Sequence, residues 1–495
     1  MRFSLLAGGL LAAAVALPAQ QPTTAQPAPS QAAGPTLTLD DAIALARRNN
    51  PTYQSSVNER RRAAAAVRSA YGALAPQVSS NFYTQYRQGG QQLFAGTSIG
   101  ASADQINAGG GIDVNAQFSA QNILTPRVQR ANAEAVESDI TASEQTLRSN
   151  VTAQYILALQ QQARAALQDT LVATAAAQLE LAKARVAVGA ATILDARQAE
   201  VALGQLQVAA IQARNQAQVE KLRLFQQMGV QQPTDVQLTT RFEVTEPRYS
   251  LDALLDEARK GNPTLNALRT REHVADVTVK ASKGAYLPTL ALSAGLSGYG
   301  NTFTSTDGLV GQALLRKQNN CFSVAEIRQA VGQPADPDAC NALSLSQSEV
   351  AAARAQNGRL FNFTKAPYNV TAQVSLPIFN GFQREQQVQQ AIAARNDAEY
   401  RTRGQELQTT ADVTAAYLTL QANRQSVALQ EKNAATAREA LALAQERYRV
   451  GANTFIEVSQ ARDVYARAQT DYVNAIYDFH RSFAQLEAAV GRPLR

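Results

Sequence analysis

Residues equipped for covalent, acid-base or metal chemistry are scarce in this chain and do not cluster. Two histidines and two cysteines occur in 495 residues. His273 and His480 each stand alone in a helical pattern, where packing or solvent contact explains a histidine better than catalysis does. No phosphate-binding Gly-Lys loop, no Gly-x-Ser-x-Gly elbow and no metal-ligand cluster is present. The pattern speaks against an enzyme and implies no cofactor and no metal. What remains is polar chemistry at two matching turns. Arg447-Tyr-Arg-Val-Gly451-Ala-Asn-Thr454-Phe-Ile-Glu457 and Ala184-Arg-Val-Ala-Val-Gly189-Ala-Ala-Thr192-Ile-Leu-Asp195 carry the same signals in the same order. A glycine able to take positive φ ends one helix. Thr-x-x-Glu or Thr-x-x-Asp then opens the next, hydroxyl and carboxylate each satisfying a free backbone amide. On spacing alone, Glu457 and Asp195 are capping groups and Tyr448 is a half-buried helix contact. Val188, Gly189, Ala190, Val450, Gly451 and Ala452 form the reversals.

Such turns require long antiparallel helices on both sides, and Ala/Gln/Leu-rich stretches supply them. Helical spacing runs over about 127–188 and 384–450, then returns over about 192–228 and 454–490. The seam Val136, Ile140, Leu147, Val151, Tyr155, Ala158 has near-heptad spacing. Leu39-Asp-Asp-Ala-Ile through Asn50-Pro51 recurs as Leu251-Asp-Ala-Leu-Leu through Asn262-Pro263. The tips recur later in the same order, so the chain is an internal duplication whose second copy carries an insertion. In each copy a short helix ends before Asn-Pro, because the residue preceding proline avoids the helical region. A helix of about 22 residues follows, near 52–73 and 264–285, closed by Pro76 and Pro288. At about 1.5 Å per residue, the return helix and this shorter helix laid end to end nearly match the long one. The expected bundle stacks two shorter helices beside each long helix.

After each proline the period changes from 3.6 to 2. Ile112, Val114, Ala116 and Phe118 alternate with Asp113, Asn115, Gln117 and Ser119. Tyr368, Val370, Ala372, Val374 and Leu376 alternate with Asn369, Thr371, Gln373 and Ser375. Leu290 to Leu296 and Val78 to Tyr86 give two further rows. Strands are expected at about 77–87, 110–122, 288–299 and 367–379. One apolar and one polar side over about ten residues, with aromatics near the ends, is the pattern of a transmembrane barrel. A soluble sandwich edge shares the alternation, but signs of export favour the barrel. Met1-Arg-Phe-Ser and the apolar run Leu5 to Leu17 read as a signal peptide over 1–19, with small residues offering cleavage after Ala19 or Ala25. The Pro/Gln/Thr/Ala mixture of 20–35 reads as a disordered leader.

No later apolar run is long enough for a membrane-spanning helix, which leaves strands as the means of crossing a bilayer. Gly/Ser/Gln-rich loops are expected at about 88–109 and 301–365. The second holds Cys321 and Cys340. Outside the cytoplasm these would pair, closing a short loop for about 3 kcal/mol. The first repeat then covers 36–232, a connector 233–249 and the second repeat 250–495. A net charge of +6 with no tryptophan and 17% charged residues fits closely packed helices and gives no nucleic-acid patch.

Four strands cannot close a barrel, and an open sheet edge is forbidden in lipid. The chain must therefore oligomerise, a dimer giving eight strands and a trimer twelve. Side chains fill an eight-stranded interior, so a conduit favours the larger number. The duplicated plan, the Asn-Pro helices, the Leu376-Pro-Ile-Phe-Asn-Gly381 corner and both Val-Gly tips resemble TolC-type outer-membrane efflux proteins over about 36–492.

That resemblance implies an α+β membrane protein, internally duplicated, with a long antiparallel coiled-coil helical barrel joined to a transmembrane β-barrel. Each protomer of a homotrimer would give four of twelve strands, in the outer membrane of a Gram-negative bacterium with the helical tunnel in the periplasm. It implies a passive exit duct of a tripartite efflux pump or type I secretion system. The partners would be outer-membrane lipid, a periplasmic adaptor (membrane fusion) protein and an inner-membrane pump of resistance-nodulation-division or ATP-binding-cassette type. It places Glu457 and Gln460 at the periplasmic aperture and Asp195, Tyr448 and Asn453 in a clasp between tips. Adaptor contact falls to Val188-Gly189-Ala190 and Val450-Gly451-Ala452. Gln460 stands where the family has an acid and Asn453 where it often has a base, so a ring here holds three carboxylates rather than six. Such a ring attracts cations. Two other readings are a periplasmic coiled-coil scaffold or adhesin outside the membrane, and a general diffusion porin. The alternating strands count against the first and the long helices against the second.

Overall fold

The computed structural model describes residues 36–94, 97–101, 103–231, 236–240, 242–244, 249–359, 363–365 and 368–494. The expected signal peptide and leader lie outside them. The first copy runs β1 (Thr36–Leu37), α1 (Leu39–Asn49), α2 (Pro51–Gly72), β2 (Gln77–Arg87), β3 (Gln91–Phe94), β4 (Thr97–Ala101), β5 (Gln105–Phe118), α3 (Ala120–Ala187), α4 (Ile193–Met228) and β6 (Gln237–Leu238). The second runs α5 (Leu251–Gly261), α6 (Pro263–Lys283), β7 (Thr289–Phe303), α7 (Asp307–Ala330), α8 (Asp338–Asn341), α9 (Gln347–Ala355), β8 (Thr364–Lys365), β9 (Asn369–Ser375), α10 (Gln383–Arg449) and α11 (Phe455–Val490).

One asparagine in each copy makes both the helix break and the stacking. Asn50 caps α2 by accepting from the Tyr53 amide at 3.0 Å, while its Nδ2 donates to the Gln227 carbonyl near the end of α4 at 2.7 Å. Asn262 repeats the device, accepting from the Leu265 amide at 3.1 Å and donating to the Ala489 carbonyl of α11 at 2.8 Å. Gly229 and Gly491 end α4 and α11 at φ 74° and 95°. A Cβ on Gly229 would lie 2.5 Å from the Asn49 carbonyl oxygen, and one on Gly491 2.5 Å from Pro263 Cδ. Glycine is needed at both sites for conformation and for space. Helix α3, 68 residues and about 100 Å long, packs against both α4 and α2, the arrangement its length required. All six seam residues, Val136 to Ala158, are buried in one cluster with Leu37, Ala42, Leu224 and Met228. The Tyr155 hydroxyl donates to the Leu37 carbonyl at 2.8 Å, which holds β1 in place beside β6.

The main strands form an antiparallel sheet in the order β2-β5-β7-β9, with β8 extending the β9 edge. Its register brings the four apolar rows to one face. Val78, Val114, Ala294 and Val370 align across it, as do Ser80, Ile112 and Leu296. Ser79, Asp113, Gly295 and Asn369 align on the other. A one-residue slip at any pairing would have mixed the faces.

Several limits differ from the sequence reading. Strand β5 covers 105–118 rather than 110–122. Ser119 accepts from the Asn122 amide at 3.1 Å and starts α3 there, so Pro126 lies inside the helix instead of before it. Strand β7 extends to Phe303, past the expected 299. Strand β9 stops at Ser375, short of 379, opposite Thr289 where its partner β7 begins, and the chain after it turns through positive φ at Gly381 and Phe382 (64° and 62°). The loop expected over 88–109 contains the hairpin β3–β4 and the start of β5. The larger departure is the insertion. Instead of a loop over 301–365 it holds three helices, α7 to α9. A Cys321–Cys340 disulfide with Cα atoms 5.6 Å apart joins α7 to α8, and Lys317 pairs with Glu349 at 2.8 Å to join α7 to α9. Ser346 and Glu349 form the capping box that starts α9 inside a Ser/Gln-rich stretch.

Candidate functional site

Four helix ends meet at the pole remote from the sheet. Leu179 and Ala182 of α3, Ala199 of α4, Tyr448 of α10, and Phe455 and Val458 of α11 are buried together there, so both hairpins share one small core at their tips. The turns are built as their sequences require. Gly189 and Gly451 have φ 73° and 84°. The Thr192 amide donates to the Asp195 carboxylate at 3.0 Å and the Asp195 amide to the Thr192 hydroxyl at 3.3 Å. The Thr454 and Glu457 pair does the same at 3.3 and 3.5 Å.

Each candidate residue thus has a definite place. Glu457 and Gln460 are exposed on the first turns of α11. Gln460 lines an open groove of about 490 Å³ between α4 and α11, with Leu194, Val201, Ile456 and Asp463. Val188 and Val450 project into solvent at 78% and 68% exposure, and Ala190 and Ala452 are exposed beside them. Asn453 is half-buried between the reversal and α11. Tyr448 is only 2% exposed, with its ring edge-on to Phe455 at 6.1 Å.

Asp195 is committed to its cap and makes no hydrogen bond to Tyr448 within the protomer among the described contacts. Its charge still reaches the phenol. Burial first, and then the Asp195 carboxylate, push the Tyr448 hydroxyl above its ordinary pKa, with Arg185 opposing them. Among the described residues the hydroxyl, which is buried, has no hydrogen-bond partner.

Sequence reasoning passed over Arg185, which joins the two tips. Its guanidinium lies over the Tyr448 ring, 4.5 Å from the centroid. It donates to the Tyr448 carbonyl, to the Arg449 carbonyl at 3.0 Å and to the Ala190 carbonyl at 3.0 Å. The available signal was a basic side chain in a helix's last turn, four residues before the C′ glycine, where such groups bind terminal carbonyls.

Nothing in this geometry arranges a nucleophile, a base or a metal-ligand set. Among the described residues there is no group of His, Cys, Asp and Glu able to hold a metal ion, and no helix is long and apolar enough to cross a membrane. Residues 341–492 match the family model described as Outer membrane efflux protein. The chain is 23% identical over 458 residues to Outer membrane protein TolC of Vibrio cholerae, spanning 90% of this chain and 89% of that one. Its fold is similar, at a TM-score of 0.68 and 16% identity, to a membrane protein from Pseudomonas aeruginosa, covering 92% of this chain and 90% of that one. A crystal structure of CusC, described in terms of folding and transmembrane channel formation, matches with the same TM-score and identity and 92% coverage of both chains. At these identities the solved structures establish the fold.

Proposed function

We propose that the chain is a member of the outer membrane efflux protein family, as the match of residues 341–492 and the 23% identity to TolC support, and that it is the trimeric exit duct of a tripartite efflux pump or type I secretion system, gated at its helical tips. It is not an enzyme, and its place is the outer membrane with the helices in the periplasm. The observation that carries the trimer is the sheet. Every residue of β2 and of β9, its two outer strands, is exposed. Unpaired strand edges cost several kcal/mol per backbone group in hydrocarbon, so the sheet needs sister sheets on both sides. Three copies supply twelve strands, enough for an open lumen. The shared face of Val78, Val114, Ala294 and Val370 meets lipid, and the face of Ser79, Asp113 and Asn369 meets water.

Beneath the barrel, α3 and α10 with their return helices form the periplasmic tunnel, and the tips are its narrow end. Glu457 of three protomers rings the aperture, with Gln460 one turn further on. The exposed reversals at Val188-Gly189-Ala190 and Val450-Gly451-Ala452 receive a periplasmic adaptor, through which a resistance-nodulation-division or ATP-binding-cassette pump of the inner membrane supplies the energy. The duct itself is passive. Purified mature protein should run as a detergent-dependent trimer on crosslinking and give discrete low-conductance channels in planar bilayers. A monomer soluble without detergent would overturn the reading. A photoreactive residue at position 451, crosslinked in cells, identifies the adaptor.

A further inference from the structure

We infer that Arg185 is the positioning residue that holds the closed tip, by tying the C-terminal ends of α3 and α10 to one another inside each protomer. The inference rests on the gated-duct reading and assigns its regulation to a residue outside the expected clasp of Asp195, Tyr448 and Asn453. Each helix leaves its last carbonyls unpaired and carries a partial negative charge at that end. At this pole α3 and α10 both end, close enough for one side chain of α3 to reach the last carbonyls of α10. A single guanidinium stands between them. It donates to the Ala190 carbonyl of its own reversal and to the Tyr448 and Arg449 carbonyls at the end of α10, while its plane covers the Tyr448 ring. Gly451 lies directly above, where a Cβ would be 3.7 Å from Arg185 Nη2.

The internal duplication supplies a built-in control. Arg447 occupies in the second copy the place Arg185 has in the first, four residues before the reversal glycine. Yet Arg447 is exposed, and among the described contacts none runs from it to the first tip. The tie is one-directional, from the first hairpin to the second. If the second hairpin swings away from the first, the Tyr448 and Arg449 carbonyls and the Tyr448 ring leave Arg185 together. Two bonds and a stack are lost in one step, which suits a two-state latch. The partners on α10 are two backbone carbonyls and a ring face. The Tyr448 hydroxyl is not among them.

The test is single-channel recording of the full-length trimer with Arg185→Gln, Arg185→Lys and Arg447→Gln. Losing charge-assisted bonds of this kind shifts a two-state equilibrium by about tenfold or more, so Arg185→Gln should raise open-state occupancy by that factor. Arg185→Lys, which keeps the charge but not the fork or the stack, should fall between it and wild type. Arg447→Gln should match wild type. Wild-type occupancy in both Arg185 variants overturns the inference, as does an opening effect of Arg447→Gln equal to that of Arg185→Gln. Should Arg185→Gln fail to assemble, the lysine variant decides alone. A wild-type protein that forms no trimer and no channel sinks the duct reading instead, a result separable from the latch.

Discussion

Replacing Asn262 with alanine removes two interactions from one buried point where three helices meet. The side chain is 7% exposed, caps α6 through the Leu265 amide and donates to the Ala489 carbonyl at the end of α11. Loss of an N-cap costs about 1 kcal/mol. Loss of the donated bond to the partly buried Ala489 carbonyl costs about 1 kcal/mol more. A total of about 2 kcal/mol corresponds to about a thirtyfold rise in local opening. Hydrogen exchange read by mass spectrometry on the detergent-solubilised trimer reports it, through peptides covering the start of α6 and the end of α11. Asn262→Asp separates the two contributions. Aspartate caps as well as asparagine does, so the start of α6 should stay protected. Its carboxylate cannot donate to Ala489, so the end of α11 should exchange faster. Wild-type exchange at both ends in Asn262→Ala would refute the idea that this residue welds the stacked helices. Equal loss at both ends in Asn262→Asp would refute the division of roles.

Gly491→Ala must place a Cβ 2.5 Å from Pro263 Cδ as well as strain a φ of 95°, whereas Gly451→Ala meets only Arg185 Nη2 at 3.7 Å. The first should abolish the trimer band on semi-native gels and the second should keep it with a slightly lower melting temperature. Glu349 is held at about 2, below the ordinary 4.5, chiefly by its hydrogen bond from Lys317 and next by Ser346. A lowered folded-state pKa gives stability that is full above about pH 4.5 and disappears as pH falls toward 2. The α7–α9 module should therefore become protease-sensitive across that window, and Glu349→Gln should remove the pH dependence. Cys321→Ser opens a loop whose closure contributes about 3 kcal/mol. External protease should cut the module in this variant while the trimer band persists, because the sheet and the bundle do not depend on it.

Much of the fold was legible because its signals are local. The Asn-Pro breaks, the capping boxes at Thr192 and Thr454, the positive-φ glycines and the alternation in 112–118 and 370–376 act within four residues or at a fixed period. The duplication then transferred each assignment from one copy to the other. The insertion resisted for the opposite reason. Only two of its α7–α9 residues besides Cys340, Ala325 and Ala353, are buried, so no apolar stripe marked its helices in a Gly/Ser/Gln-rich stretch.

What the chain alone determined is the inventory: two long hairpins, four amphipathic strands, two reversals and no catalytic set. Tertiary structure decided which rows of the sheet share a face, since Val114 and Ala294 meet only through the β5–β7 register. It also decided which arginine joins the tips. Arg185 and Arg447 hold the same position four residues before their glycines, yet among the described contacts only Arg185 reaches across, to carbonyls 263 and 264 positions away. Local patterns fix the direction of a backbone, but a contact between distant segments depends on how whole helices pack, and that is written in no short window of sequence.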